Sequence, residues 1–118
     1  MNTRLVMVGT LSGLLMGVIA TVIVPPTVWA DATEHVGEAI EHAKEAVKHG
    51  KQGHTDMLVE HADGALRYAK EAQELLQNAQ LDGAIDELEA AVLQGQAGHS
   101  DIGVQHAEKA LEYLSAVK

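Results

Sequence analysis

The segment Gly50-Lys-Gln-Gly-His-Thr-Asp returns at Gly95-Gln-Ala-Gly-His-Ser-Asp, an offset of 45 residues. The correspondence continues downstream: His61-Ala62 answers His106-Ala107, Ala65-Leu66 answers Ala110-Leu111, and Tyr68 answers Tyr113. A repeat of this size is one supersecondary unit that cannot bury its apolar face alone, whereas two units stacked together can. The chain is therefore read as a duplicated hairpin.

From Thr33 onward alanine, leucine, lysine and glutamate dominate, and apolar residues recur at steps of three and four, which predicts amphipathic helices and no strands. The first helix carries Val36, Ala39, Ile40, Ala43, Ala46 and Val47 on its apolar stripe, opens on an Asp31/Glu34 capping pair, and ends where Gly50 and Gly53 bracket a turn. A second, from about Thr55 to Leu76, turns Met57, Leu58, Ala62, Ala65, Leu66, Ala69, Ala72 and Leu76 inward. Asn78 to Gly83 reads as a turn. Leu81, Ile85, Leu88 and Val92 mark a third helix. Ile102, Ala107, Ala110, Leu111, Leu114 and Val117 mark a fourth, with Gly95 and Gly98 between the two. The expected fold is all-α, an up-down-up-down four-helix bundle built from two repeated helical hairpins.

The N-terminus reads as a targeting segment. Arg4 precedes an uncharged, mostly apolar run from Leu5 to Val24 that ends at Pro25-Pro26, and Val28 and Ala30 place small side chains where a signal peptidase needs them. The expected division is residues 1–30 as signal peptide and residues 31–118 as a four-helix metal-binding domain, with cleavage after Ala32 as the alternative cut. The run is long enough to serve as an uncleaved anchor, and Gly9, Gly13 and Gly17 have the spacing that lets membrane helices approach closely.

Composition removes several classes of function. The chain has no cysteine, which excludes disulfides, thiolate zinc sites, iron-sulfur clusters and covalent c-type haem. All 17 acidic residues lie after position 30, and the formal net charge of −9 makes nucleic acid an unfavourable partner. Beyond the targeting segment the only methionine is Met57, so a methionine-built copper(I) site cannot be assembled. An acidic surface attracts cations, and the same region holds all 7 histidines.

Those histidines are spaced in heptads: His35, His42 and His49; His54 and His61; His99 and His106. Seven residues make two helical turns, so each set lies along one stripe. Glu38 and Glu45 fill the first stripe at alternating steps of three and four, where neighbours can chelate one ion. Positions facing each other across an antiparallel turn have numbers of constant sum. This rule sets His49 level with His54, His42 with His61 and His35 with Tyr68, in layers about 10.5 Å apart. In the second hairpin it sets Gln94 level with His99 and Glu87 level with His106. The side chains lie on the flank of each apolar stripe, displaced in the same sense, so imidazole pairs should bridge the first two helices with Glu38 and Glu45 completing the sphere. The candidate ligands are His35, Glu38, His42, Glu45, His49, His54, His61, His99 and His106. Imidazole with carboxylate suits copper(II) first, with nickel(II) and zinc(II) as alternatives.

With these residues in place, the stretch from Glu34 to Lys118 resembles the small metal-binding protein family of histidine-rich periplasmic bundles. The likeness is carried by His42-Ala43, His61-Ala62 and His106-Ala107 and by the Gly-x-x-Gly-His turns at Gly50 to His54 and Gly95 to His99. It implies metal buffering in the periplasm, copper being the first ion. The chain departs from the pattern where Gln80, Glu87 and Gln94 stand at the positions whose repeat partners are His35, His42 and His49, so the third helix should contribute few ligands.

Competing readings are weaker. A di-iron bundle needs Glu-x-x-His on two helices, but the order here is His-x-x-Glu on one. A buried haem wants bulky apolar surroundings, and this core is alanine-rich without phenylalanine. Tyr68 and Tyr113 are expected as core plugs, and Asp56 and Asp101 as helix-start residues. The chain is thus expected to be a monomeric, non-enzymatic binder of metal ions, with no stable membrane partner once the signal is removed. The alternative is a metal-independent helical interaction module, membrane-anchored if the apolar run is retained.

Overall fold

A computed structural model describes residues 23–118, and the expected signal segment lies outside these residues up to position 22. Four helices follow in order: α1 Pro26–Lys51, α2 Thr55–Leu76, α3 Ala79–Gln96 and α4 Ser100–Ser115. Each of α1 and α3 packs against both α2 and α4. Across the diagonals α2 and α4 approach each other more closely than α1 and α3 do. This is the four-helix bundle of two hairpins that the repeat predicts. None of the described helices is long and apolar enough to cross a membrane.

Both hairpin turns use one device. The Gly53 N–H donates to the Gly50 carbonyl at 3.0 Å and the His54 N–H to the His49 carbonyl at 2.9 Å. Gly98 donates to Gly95 at 2.9 Å and His99 to Gln94 at 2.8 Å in the second turn. These paired bonds form the Schellman motif, which closes a helix through one left-handed residue. Gly53 and Gly98 supply it, at φ of 77° and 83°.

Several boundaries differ from the sequence reading. Helix α1 starts at Pro26, whose fixed φ and missing N–H suit the first helical position, so Asp31 and Glu34 lie inside the helix and do not cap it. The turn expected from Asn78 to Gly83 contracts to Gln77 and Asn78. Asn78 caps α3 by accepting from the Gln80 N–H at 2.8 Å, and Gly83 falls within the helix. Helix α4 ends at Ser115, leaving Val117 beyond it but packed on the core. Asp56 and Asp101 do occupy the first turns of α2 and α4.

The core is built mostly of alanine, with Leu58, Leu81, Leu88 and Leu114 as its largest fully buried side chains. Their repeat partners are Gly103, Val36, Ala43 and Ala69. At each of these repeat positions one hairpin thus carries a large side chain where the other carries a smaller one. Leu58 illustrates the rule. It is wholly buried, and a Cβ on Gly103 would stand 3.2 Å from its Cδ2, one on Gly95 2.9 Å away, and one on Gly50 against both Leu58 and Val104. Leu58 is buried as expected, but Met57 beside it is only half-buried, and in α4 Ile102 is exposed while Val104 takes the inward position.

This nest makes a prediction about stability. Leu58→Ala should lower the unfolding free energy by about 2–5 kcal/mol, since three helices cannot collapse into the space vacated. Gly50→Ala should also destabilise, by about 1–3 kcal/mol, even though alanine is the better helix former. Urea denaturation followed by circular dichroism measures both, and a stabilised Gly50→Ala variant would refute the close approach.

Candidate metal centre

The shared turn motif fixes the first rung of the site. Because His54 donates its backbone N–H to the carbonyl of His49, the two residues start level, and their imidazole Nδ1 atoms stand 3.5 Å apart. Seven residues away from the turn on each helix, the Nδ1 atoms of His42 and His61 stand 3.4 Å apart. His35 then meets Tyr68, with ring centroids at 6.0 Å. The three expected levels are therefore present, and two of them are imidazole pairs.

The levels are not separate. A helical side chain tilts toward the N-terminus of its own helix, so in an antiparallel pair the tilts are opposed. His49 leans away from the turn and His61 toward it, and their rings stack at 5.3 Å and 3° between the two levels. By the same tilt His42 stacks on Tyr68 at 5.5 Å and 22°. The result is a continuous zigzag of six rings: His54, His49, His61, His42, Tyr68 and His35. Tyr68 is a member of this ladder as well as a side chain packed on the core, and Arg67 lies 5.1 Å from its centroid. Tyr113, expected as the matching plug, is 39% exposed, with its ring lying over Gly83.

Within the ladder, Glu45, His49 and His61 each offer one ligand atom, and the three atoms lie within 4.8 Å of one another. Two nitrogens and a carboxylate oxygen converge here from two helices, partly shielded from solvent. Glu45 is ready as an anion. The Lys48 ammonium, at 3.0 Å, holds its carboxyl below the usual carboxylate range, aided by the charges of His49 and His61 and opposed only in part by desolvation. Glu38 lines the adjoining groove with Glu41, His42, Glu45 and His61.

The remaining candidates are placed differently. His35 Nδ1 lies 3.3 Å from Glu71, at the end of the ladder far from the turn. In the second hairpin His99 faces Gln94 Oε1 at 3.0 Å and His106 faces Glu87 Oε2 at 2.7 Å, as the constant-sum rule requires. Each level there holds one imidazole. Lys109 reaches 3.8 Å from the other oxygen of Glu87 and places a positive charge where a cation would sit.

Sequence reasoning did not find Glu71, Glu41, Gly64 or Lys48. Glu71 continues the α2 stripe three residues past Tyr68, a signal that was legible. Gly64 serves as clearance. A Cβ there would stand 3.0–3.2 Å from Nδ1, Cε1 and Cγ of His42, so the absence of a side chain lets that ring lie against the backbone of α2. The repeat partner of Gly64 is Lys109.

The sequence model of the family described as "Small metal-binding protein" matches residues 9–117. The chain belongs to this family. A search of curated proteins returned no match. Membership in the small metal-binding protein family and the three convergent ligand atoms of the first hairpin point to the same chemistry, metal binding.

Gly64→Ala separates folding from binding in this family member. The substitution should leave the thermal midpoint level or raise it, because alanine favours the helix by up to about 1 kcal/mol. Divalent-cation affinity should fall roughly tenfold as His42 is pushed off its seat. Thermal melts and competition titrations measure the two quantities, and unchanged affinity would show that His42 needs no such clearance.

Proposed function

We propose that the chain is an exported buffer for divalent metal ions, copper(II) first among them, working in the periplasm as a monomer and catalysing no reaction. The observation that carries this reading is the convergence of Glu45, His49 and His61 within 4.8 Å, flanked by the imidazoles of His42 and His54. The ion is cargo, and the protein supplies ligands, orientation and an anionic setting. Borderline nitrogen donors with one carboxylate favour copper(II) over nickel(II) and zinc(II) by the general affinity order. The apolar run followed by Val28 and Ala30 supports export, and the surplus of acidic side chains supports cation capture.

Binding requires Lys48 to release Glu45. That contact is a solvent-exposed pair three residues apart on one helix, and such pairs are weak because water screens them, so a divalent ion displaces the ammonium at little cost. The buffer is thus closed by a weak competitor when empty.

Calorimetric titration of the full-length chain with copper(II) at neutral pH tests the proposal. The parent should bind with micromolar or tighter affinity, and the His49→Ala/His61→Ala double variant should lose roughly a hundredfold. The His99→Ala/His106→Ala variant should lose less. Equal heats from the parent and the first double variant would remove the metal reading and favour a metal-independent interaction module.

A further inference from the structure

We infer that the His49 ring bridges two ions, one at the Glu45–His49–His61 centre and a second between His49 and His54, so that the first hairpin holds a coupled pair. This inference rests on the proposed function and deepens it, since it concerns how the same ligands share their cargo.

The two nitrogens of His49 face different donors. Its Nε2 lies 3.7 Å from Glu45 Oε2, on the side of the centre, while its Nδ1 lies 3.5 Å from His54 Nδ1, on the side of the turn. Two nitrogens at that separation can share one ion at a metal–imidazole distance of about 2.0–2.1 Å. The lone pairs of an imidazole diverge in the ring plane, so one ring cannot turn both toward a single ion.

Protons and charges balance. A neutral imidazole has one bare nitrogen and one N–H. With Nε2 bound to the first ion, the ring proton is on Nδ1, facing His54 Nδ1, and the second ion replaces it there. The proton leaves to solvent, each ring nitrogen gives one lone pair to one ion, and no electron is transferred. Two dications on one ring repel each other. The imidazolate, the Glu45 carboxylate and the unpaired carbonyls of the last turn of α1, where His49 sits, offset that repulsion.

The two positions fill in order. The centre has three convergent ligand atoms, whereas the outer position has two imidazoles, and its His54 is the N-cap of α2, where the helix dipole disfavours a cation. Asp56, which lines the same open depression as His54, compensates part of that dipole. The second hairpin has no equivalent. Gln94 stands where His49 does and meets His99 through its amide oxygen at 3.0 Å, and an amide has no second ring nitrogen to offer a further ion.

Electron paramagnetic resonance tests the bridge, because two copper(II) ions joined through one imidazolate couple antiferromagnetically and lose their signal in the cold. The full-length chain is loaded with one and then two equivalents of copper(II), unbound metal is removed by gel filtration, and spins are counted per bound ion at liquid-helium temperature. The signal should grow through the first equivalent and be lost as the second binds. His54→Ala and His54→Gln keep the centre, and His54 makes no side-chain cap bond whose loss would disturb α2. Both variants should retain the signal of the first ion at two equivalents. A parent that shows two spins for two bound ions, holds only one ion, or loses its signal equally in the His54 variants overturns the bridge and leaves the buffer function intact. A parent that takes up no copper overturns the function and the bridge together.

Discussion

The register of α1 against α2 governs everything else in this molecule, and one backbone hydrogen bond sets it. The His54 N–H reaches the His49 carbonyl across the Gly53 turn, so the residues that close the helix are the ones whose imidazoles meet. From that fixed point, heptad spacing carries the match two helical turns away to His42 and His61. A register error of one residue would rotate each stripe by about 100° and dissolve every pair at once. The left-handed glycine is thus as much a part of the centre as the ligands, although it touches none of them.

Much of the fold was legible because the repeat and the glycine turns constrain it so tightly. The constant-sum rule also placed each pair of the two hairpins correctly, down to His106 with Glu87 and His99 with Gln94. It failed on what lies between the levels. A sum of residue numbers tracks Cα positions and treats side chains as perpendicular to the axis, whereas real side chains tilt toward the helix start. That tilt brings His49 to His61 and makes the centre span two levels. The helix-start errors have another origin. Asp31 and Glu34 carry the composition of a cap, but Pro26 upstream provides a stronger start and the chain between them has no reason to break the helix.

The glycines and tyrosines were legible only in part, for a shared reason. Their meaning depends on what the neighbouring helix puts against them, which no single-helix pattern contains. Gly64 makes room for a ring of α1 and Gly103 makes room for Leu58 of α2. Tyr68 and Tyr113 are repeat partners, yet one is clasped between two imidazoles while the other lies over Gly83 with much of its surface in water. The difference follows from their neighbours, since the positions that would sandwich Tyr113 hold Gln80 and Glu87 in place of His35 and His42.

The two hairpins therefore act as an internal comparison in which backbone and turn are held constant and side chains vary. At the position where the first hairpin has Gly64, the second has Lys109, and where the first has His42 the second has Glu87. Clearance for a neutral donor becomes a positive charge beside a carboxylate, and the level that could share a cation becomes an internally satisfied ion pair. The apolar side divides in the opposite sense. Leu81, Leu88 and Leu114 come from the second hairpin, while the first presents Val36, Ala43 and Ala69 at the matching positions. Small residues let α1 and α2 approach closely enough for short imidazole side chains to meet, and they bury less apolar surface in doing so. The leucines of the second hairpin fill that space from the other side. One hairpin can then keep its helices close for the sake of its ligands because the other supplies the bulk of the core.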